Sequence, residues 1–181
     1  MSLAPPGAIS ARAAFTLLEL LAVIAIIAVL AGIVIGVGRR ANETGKLARA
    51  KAELAVLSAA LENYQRTYGG YPQTDDAARL LQSLIGRRSP TNAVILARSL
   101  IETVRFTTTD LRDPFTDSST VIIDPWGQAY RYAYKTQAPW SNSSYVLYSI
   151  GPDGQDSAAL LPGGFPDTSI PANADNIYAN R

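Results

Sequence analysis

Between Thr136 and Asn180 the only charged side chains are four aspartates, Asp153, Asp156, Asp167 and Asp175. A net charge of −4 on a stretch containing Gly and Pro repels itself unless water or a cation offsets it. Hard carboxylate oxygens and turn glycines favour Ca2+, which takes roughly 6–8 oxygens from carboxylates and backbone carbonyls. A merely solvated acidic loop is the competing reading, and residue types alone leave both open. A second set, Asp110, Asp113, Asp117 and Asp124, offers the paired carboxylates of glycoside or phosphoester chemistry. It lies in a Thr/Ser-rich stretch with no accompanying motif, which ranks a membrane-anchored enzyme low. The third candidate is Glu19, the one charge in the run Phe15–Gly38, FTLLELLAVIAIIAVLAGIVIGVG. A carboxylate within a bilayer costs several kcal/mol and marks a partnered site, unless it lies at the interface or is protonated. With no His and no Cys in the chain, imidazole acid–base chemistry, thiol nucleophiles, N/S metal sites and disulfides are excluded.

The chain has 181 residues, 48% hydrophobic and 17% charged, with a net charge of +1. That suits one domain plus an attached segment, and it supplies no basic field for a nucleic-acid partner. At about 1.5 Å per residue, Phe15–Gly38 is long enough to cross a hydrocarbon core of roughly 30 Å as one helix. It is longer than the apolar region of a signal peptide and stops at Arg39-Arg40, not at a small-residue cleavage site. The preceding MSLAPPGAISARAA reads as a processed or disordered tail, because Pro5-Pro6-Gly7 will not continue the helix. Ala28, Gly32 and Gly36 recur every four residues, a spacing that lets helices approach closely. Arg39, Arg40, Lys46 and Arg49 outweigh Arg12 and the initial amine, so a positive-inside count places the chain beyond this helix in the cytoplasm.

Beyond Arg40, apolar Leu47, Ala50, Leu54, Leu57, Leu61, Tyr64 and Tyr68 step by three and four, with Lys46, Arg49, Glu53, Glu62 and Arg66 elsewhere. The pattern predicts an amphipathic helix packed on its own domain, with a coiled-coil dimer as the alternative. It continues the apolar run as one rod of about 54 residues and roughly 80 Å, with possible bends at Gly36, Gly38 and Gly45 and an end at Gly69-Gly70. A second helix is expected over 74–85, capped by Thr74 or Asp75, and a third over 93–104. Residues 106–120 read as loop. Three strands, over 121–123, 129–135 and 144–150, complete an α+β fold: a long N-terminal helix, membrane-spanning in its first half, packed on a small antiparallel sheet with a long C-terminal loop.

Ala14-Phe15-Thr16-Leu17-Leu18-Glu19 and the apolar helix after it resemble the processing signal of type IV pilins and type II secretion pseudopilins. Asp124-Pro125-Trp126-Gly127, the nearby Tyr130, Tyr145-Val146-Leu147-Tyr148-Ser149 and Gly151-Pro152-Asp153-Gly154 are similar to the major pseudopilin of type II secretion. On residue chemistry alone, the Asp-Pro-Trp-Gly motif is a turn with a buried Trp. The resemblance implies that prepilin peptidase cuts between Ala14 and Phe15, although Ala14 stands where the family usually has Gly, and methylates the new terminus. It further implies that the Phe15 ammonium pairs with Glu19 of a neighbouring subunit to set assembly register.

The implied domains are a leader over 1–14, a membrane and filament-core helix over 15–38, and a periplasmic domain over 39–181. This orientation is opposite to the charge count. The implied partners are copies of itself and other pseudopilins in a filament, prepilin peptidase and an inner-membrane assembly platform. In the loop, Asp153 and Asp175 match the family's calcium-binding motifs, with Asp156 as a third ligand and carbonyls near Ile150. Residues 83–106 match poorly, and 157–173 is longer than the family's stretch. A type IV pilin, whose last loop is often closed by a disulfide, and a single-pass anchor for a binding domain are the alternatives.

Overall fold

The computed structural model describes residues 16–136, 138–157, 160–161 and 164–179, without the side chains of 33–39 and 110. The chain divides into two compact units, Met1–Glu43 and Thr44–Arg181. A first helix, α1, runs Leu17–Tyr68, and Gly32 and Gly45 are helical within it. It stops where expected: Gly69 takes φ 77°, and its N–H donates to the Gln65 carbonyl at 2.8 Å, a left-handed glycine cap.

In the Thr44–Arg181 unit, Ala50, Leu54, Leu57, Leu61 and Tyr64 of α1 form a buried stripe. The stripe packs against Tyr130, Tyr132, Leu147 and Ile177. Glu53 departs from the expected polar side: it is buried. Its Oε1 accepts from Arg49 Nε at 2.7 Å, and its Oε2 accepts from the Tyr130 hydroxyl at 2.7 Å. Arg49 Nη2 donates in turn to Thr107 Oγ1 at 2.8 Å. A carboxylate is tolerated in this core because both oxygens are occupied, and it fastens the helix to the strands.

The second helix, α2, is Ala77–Leu84, and its cap is Asp76, whose side chain accepts from the N–H groups of Ala78 and Arg79. Thr74, one of the two expected caps, instead accepts from Asp76 N in the preceding turn. The helix expected over 93–104 is absent. Gly86, at φ 78°, turns the chain back, and Ile95 and Ala97 donate to the carbonyls of Arg87 and Gly86, as Leu100 does to Leu84. These bonds to the end of α2 replace helical ones, with a 3-10 turn at Thr103–Arg105.

Strands β1 (Thr107–Thr108) and β2 (Ile122–Ile123) pair antiparallel. Strands β3 (Arg131–Ala133), β4 (Val146–Ser149) and β5 (Ile177–Tyr178) form a second antiparallel sheet in that order. Three of the five lie within the expected segments. The other two, β1 and β5, are two residues each, too short for any alternation to register.

The interior is rich in tyrosine, with Tyr64, Tyr71, Tyr130, Tyr132, Tyr145 and Tyr148 all buried. Burial pushes the Tyr64 and Tyr71 phenols from 10.0 up to about 12, and Tyr130, Tyr132, Tyr145 and Tyr148 move the same way for the same first cause. Raised values mean that above pH 10 the unfolded chain binds fewer protons than the folded one, so stability falls as pH rises. Denaturant melts should therefore give a midpoint that barely changes between about pH 7 and 9 and drops progressively above about pH 10.

Candidate functional site

Two regions carry the candidate residues. In the Met1–Glu43 unit, Ala14 and Phe15 lie outside the described residues. At the start of α1, Thr16 Oγ1 accepts from Glu19 N at 3.2 Å, one half of a capping box, and places an exposed carboxylate in the first turn, where the helix dipole favours it. Ten large aliphatic side chains lie between Leu17 and Leu30, all exposed. Their exposure is on all sides of the helix, not outside one stripe, so only an apolar environment or other helices would cover them. Among the described residues no helix is long and apolar enough to cross a membrane. The run Phe15–Gly38 extends beyond the described side chains at both ends.

In the Thr44–Arg181 unit, the Asp-Pro-Trp-Gly turn is organised by Asp124. The buried residue of the motif is this Asp, 2% exposed, and Trp126 is only partly buried against the core. Asp124 Oδ1 accepts from the N–H groups of Trp126 and Gln128 at 3.0 and 2.9 Å, and Oδ2 accepts from the Ser149 hydroxyl at 2.6 Å. Pro125 fits the first corner of the turn, and Gly127 supplies φ 90° at its end. Removing the carboxylate would strand the buried Ser149 hydroxyl, at about 1–3 kcal/mol, and take the shared acceptor from two backbone N–H groups of the turn.

Ser149, fully buried on β4, also accepts from Gly151 N at 3.1 Å and so carries the motif into the C-terminal loop. Gly151 sits at φ 74°, and a Cβ there would lie 2.6 Å from the Asp175 carbonyl and 2.8 Å from Asp175 Oδ2. Asp175 Oδ2 accepts from Asp153 N at 3.1 Å. The backbone of Asp153 is thus brought to the Asp175 carboxylate beside a glycine that no other residue replaces without clash, while the Asp153 carboxylate accepts from Gln155 N at 2.8 Å. Asp175 Oδ1 and Asn176 Oδ1 are buried without a hydrogen-bond partner, a fit for a hard cation that would take them as oxygen donors.

Asp156 faces elsewhere. Its side chain, 4% exposed, lies 3.3 Å from Arg131 Nε and accepts from the Tyr148 hydroxyl. Asp167 accepts from the Ser169 N–H and hydroxyl. Among the described residues no three acidic side chains gather as a metal site. Of the carboxylates considered for catalysis, Asp110 lies outside the described side chains and the others serve separately: Asp113 accepts from Phe115 N, and Asp124 holds its turn. Asp117 accepts from Ser119 and Arg112, which lower its carboxyl to about 2. Sequence reasoning passed over Ser149, Asn176 and Arg131. The first two are polar residues with no spacing signal, and Arg131 reads as an ordinary exposed strand position.

The family described as Type II secretion system (T2SS), protein G matches residues 39–160, and the Prokaryotic N-terminal methylation motif matches residues 9–35. The Type II secretion system core protein G of Pseudomonas aeruginosa is 26% identical over 149 residues, which cover 82% of this chain and 89% of that protein. No solved structure matches the chain. The family match takes in the Asp124 turn, Ser149 and Gly151, and the methylation motif takes in Glu19. The protein accordingly belongs to the type II secretion system protein G family, the structural subunits of the type II secretion pseudopilus.

Proposed function

We propose that the chain is made as a precursor, cut between Ala14 and Phe15 by prepilin peptidase and methylated on Phe15. In this reading it is held in the inner membrane by Phe15–Gly38, with residues 39–181 in the periplasm. It then assembles with copies of itself and other pseudopilins, on an inner-membrane platform, into a helical filament that drives export across the outer membrane. The observation that carries this is the ring of exposed aliphatic side chains from Leu17 to Leu30 directly behind a methylation motif. A bilayer before assembly and neighbouring helices after it cover the same surface, at about 25 cal/mol per Å2 removed from water. Intact mass and N-terminal sequencing of membrane-extracted protein should give a chain starting at methylated Phe15. An uncut terminus would return the helix to a plain anchor.

Glu19 is the assembly residue in this reading. Its carboxylate, exposed at the helix start, pairs with the Phe15 ammonium of the next subunit in a low-dielectric layer, where opposite charges attract strongly. The Glu19→Leu chain should insert and be cut normally yet enter filaments at a small fraction of the wild-type level; normal incorporation would refute the role.

The C-terminal loop holds Ca2+ through Asp153 and Asp175, supported by the orphaned Asp175 and Asn176 oxygens and backbone carbonyls. Asp156, expected as a third ligand, would first have to leave Arg131. The ion supplies charge neutralisation and cross-linking of a loop that has no disulfide. Calcium at about a hundred times its dissociation constant should stabilise the wild type by about 2.7 kcal/mol over chelator. Asp153→Ala and Asp175→Ala should abolish the calcium-dependent rise in Tm, and an unchanged rise would remove the site.

A further inference from the structure

Among the described residues, the buried side-chain oxygens that carry no proton of their own and accept no hydrogen bond are Asp175 Oδ1 and Asn176 Oδ1. They are consecutive in the chain, where Asp153 N meets the Asp175 carboxylate. An unconstrained amide is able to turn over and present its NH2 group in place of its oxygen. What holds Asn176 therefore decides whether its oxygen serves an ion. Asn176 Nδ2 lies 3.5 Å from Asn173 Oδ1 and 3.4 Å from the Tyr178 hydroxyl. Turning the amide would set two carbonyl oxygens against each other at the Asn173 contact, so the Asn176 oxygen is committed to the other side.

Asn173 is itself fixed. It is 1% exposed, its Nδ2 donates to the Ser157 hydroxyl at 2.8 Å and to the Asp167 carbonyl at 2.6 Å, and its Oδ1 accepts from Ser157 N at 3.1 Å. A carbonyl only accepts and a backbone N–H only donates, which leaves this amide one orientation. Asn173 thus ties Ser157 to Asp167 and turns its own oxygen to the Asn176 amide. Asp156 is engaged elsewhere, 3.3 Å from Arg131 Nε on β3 and 3.1 Å from the Tyr148 hydroxyl on β4.

We propose that Asn176 is the third side-chain ligand of the calcium site, in place of Asp156, and that Asn173 is the positioning residue that keeps the Asn176 oxygen turned to the ion. Asp156 is instead the clamp that fastens the start of the loop to β3 and β4. Charge supports this division. Asp153 and Asp175 together neutralise a divalent cation, a neutral amide oxygen is an accepted calcium ligand, and Arg131 keeps its carboxylate. The inference rests on the calcium reading of the loop and names the side chains that serve it.

The test is a CaCl2 titration of the full, detergent-extracted chain, with Kd read by calorimetry well below Tm and Tm read separately in chelator. Asn176→Ala should weaken calcium binding about tenfold or more, and Tm in chelator should stay near the wild-type value because an orphaned oxygen leaves with the side chain. Asp156→Asn should do the reverse, lowering Tm in chelator and leaving Kd near the wild-type value. Asn173→Ala should lower Tm and also weaken binding about tenfold, whereas loss of a purely structural residue would lower Tm alone. Tyr178→Phe removes the other partner of the Asn176 amide without opening the core, and weakens binding in the same direction. Wild-type Kd in Asn176→Ala, or a tenfold loss in Asp156→Asn, overturns the ligand assignment. Wild-type Kd in Asn173→Ala, or in Tyr178→Phe should the former not fold, overturns the positioning role. Absence of calcium binding by the wild-type chain overturns instead the calcium reading beneath both.

Discussion

The buried Asp124 carboxylate is the constraint on which the arrangement of the C-terminal half depends. One ionisable group receives two backbone N–H groups of its own turn and the hydroxyl of Ser149. The same turn leads the chain from β2 into β3, and Ser149 closes β4. An acceptor of this capacity serves three donors at once, the buried Ser149 hydroxyl among them. Through Ser149 and Gly151 it also fixes where the final loop departs. A turn motif that serves as a family marker is therefore a structural junction: its Asp, more than its Trp, is the residue the neighbours require.

A second junction, Glu53 with Tyr130 and Arg49, secures the helix to the strands in the same way. Both place a carboxylate inside a tyrosine-rich core, where each phenol contributes apolar ring surface and a hydroxyl that needs a partner. The core is small and has no disulfide, so directional bonds of this kind specify its packing more tightly than aliphatic contact alone. The N-terminal helix is built on the opposite rule. From Leu17 to Leu30 it presents aliphatic side chains with almost nothing polar among them, and its surroundings must supply the packing.

The legible parts of the fold are those written as periodicity or as punctuation. The stripe from Ala50 to Tyr64, the stop at Gly69 and three of the strand segments all come from spacing and turn residues. Glu53 escapes such a reading because a helical wheel counts polarity, whereas its partner Tyr130 lies 77 residues away in sequence. The expected helix over 93–104 does not form because backbone bonds to residues 84–87 win over weak local propensity. In the candidate sites, Glu19 and the acidic loop are visible as charge out of place. The separation of Asp156 from Asp153 and Asp175 is not, since nothing in the spacing of acidic residues says that Arg131 and Tyr148 claim one of them.

The approach of Asp153 to Asp175 has a consequence in polymer terms. It brings together residues near the two ends of the loop between β4 and β5, so the chain between them is a closed ring whose size enters stability only logarithmically. Each doubling of its length costs roughly 0.6 kcal/mol. Changes in the length of this ring are therefore nearly neutral for folding while the pinch at its neck is kept.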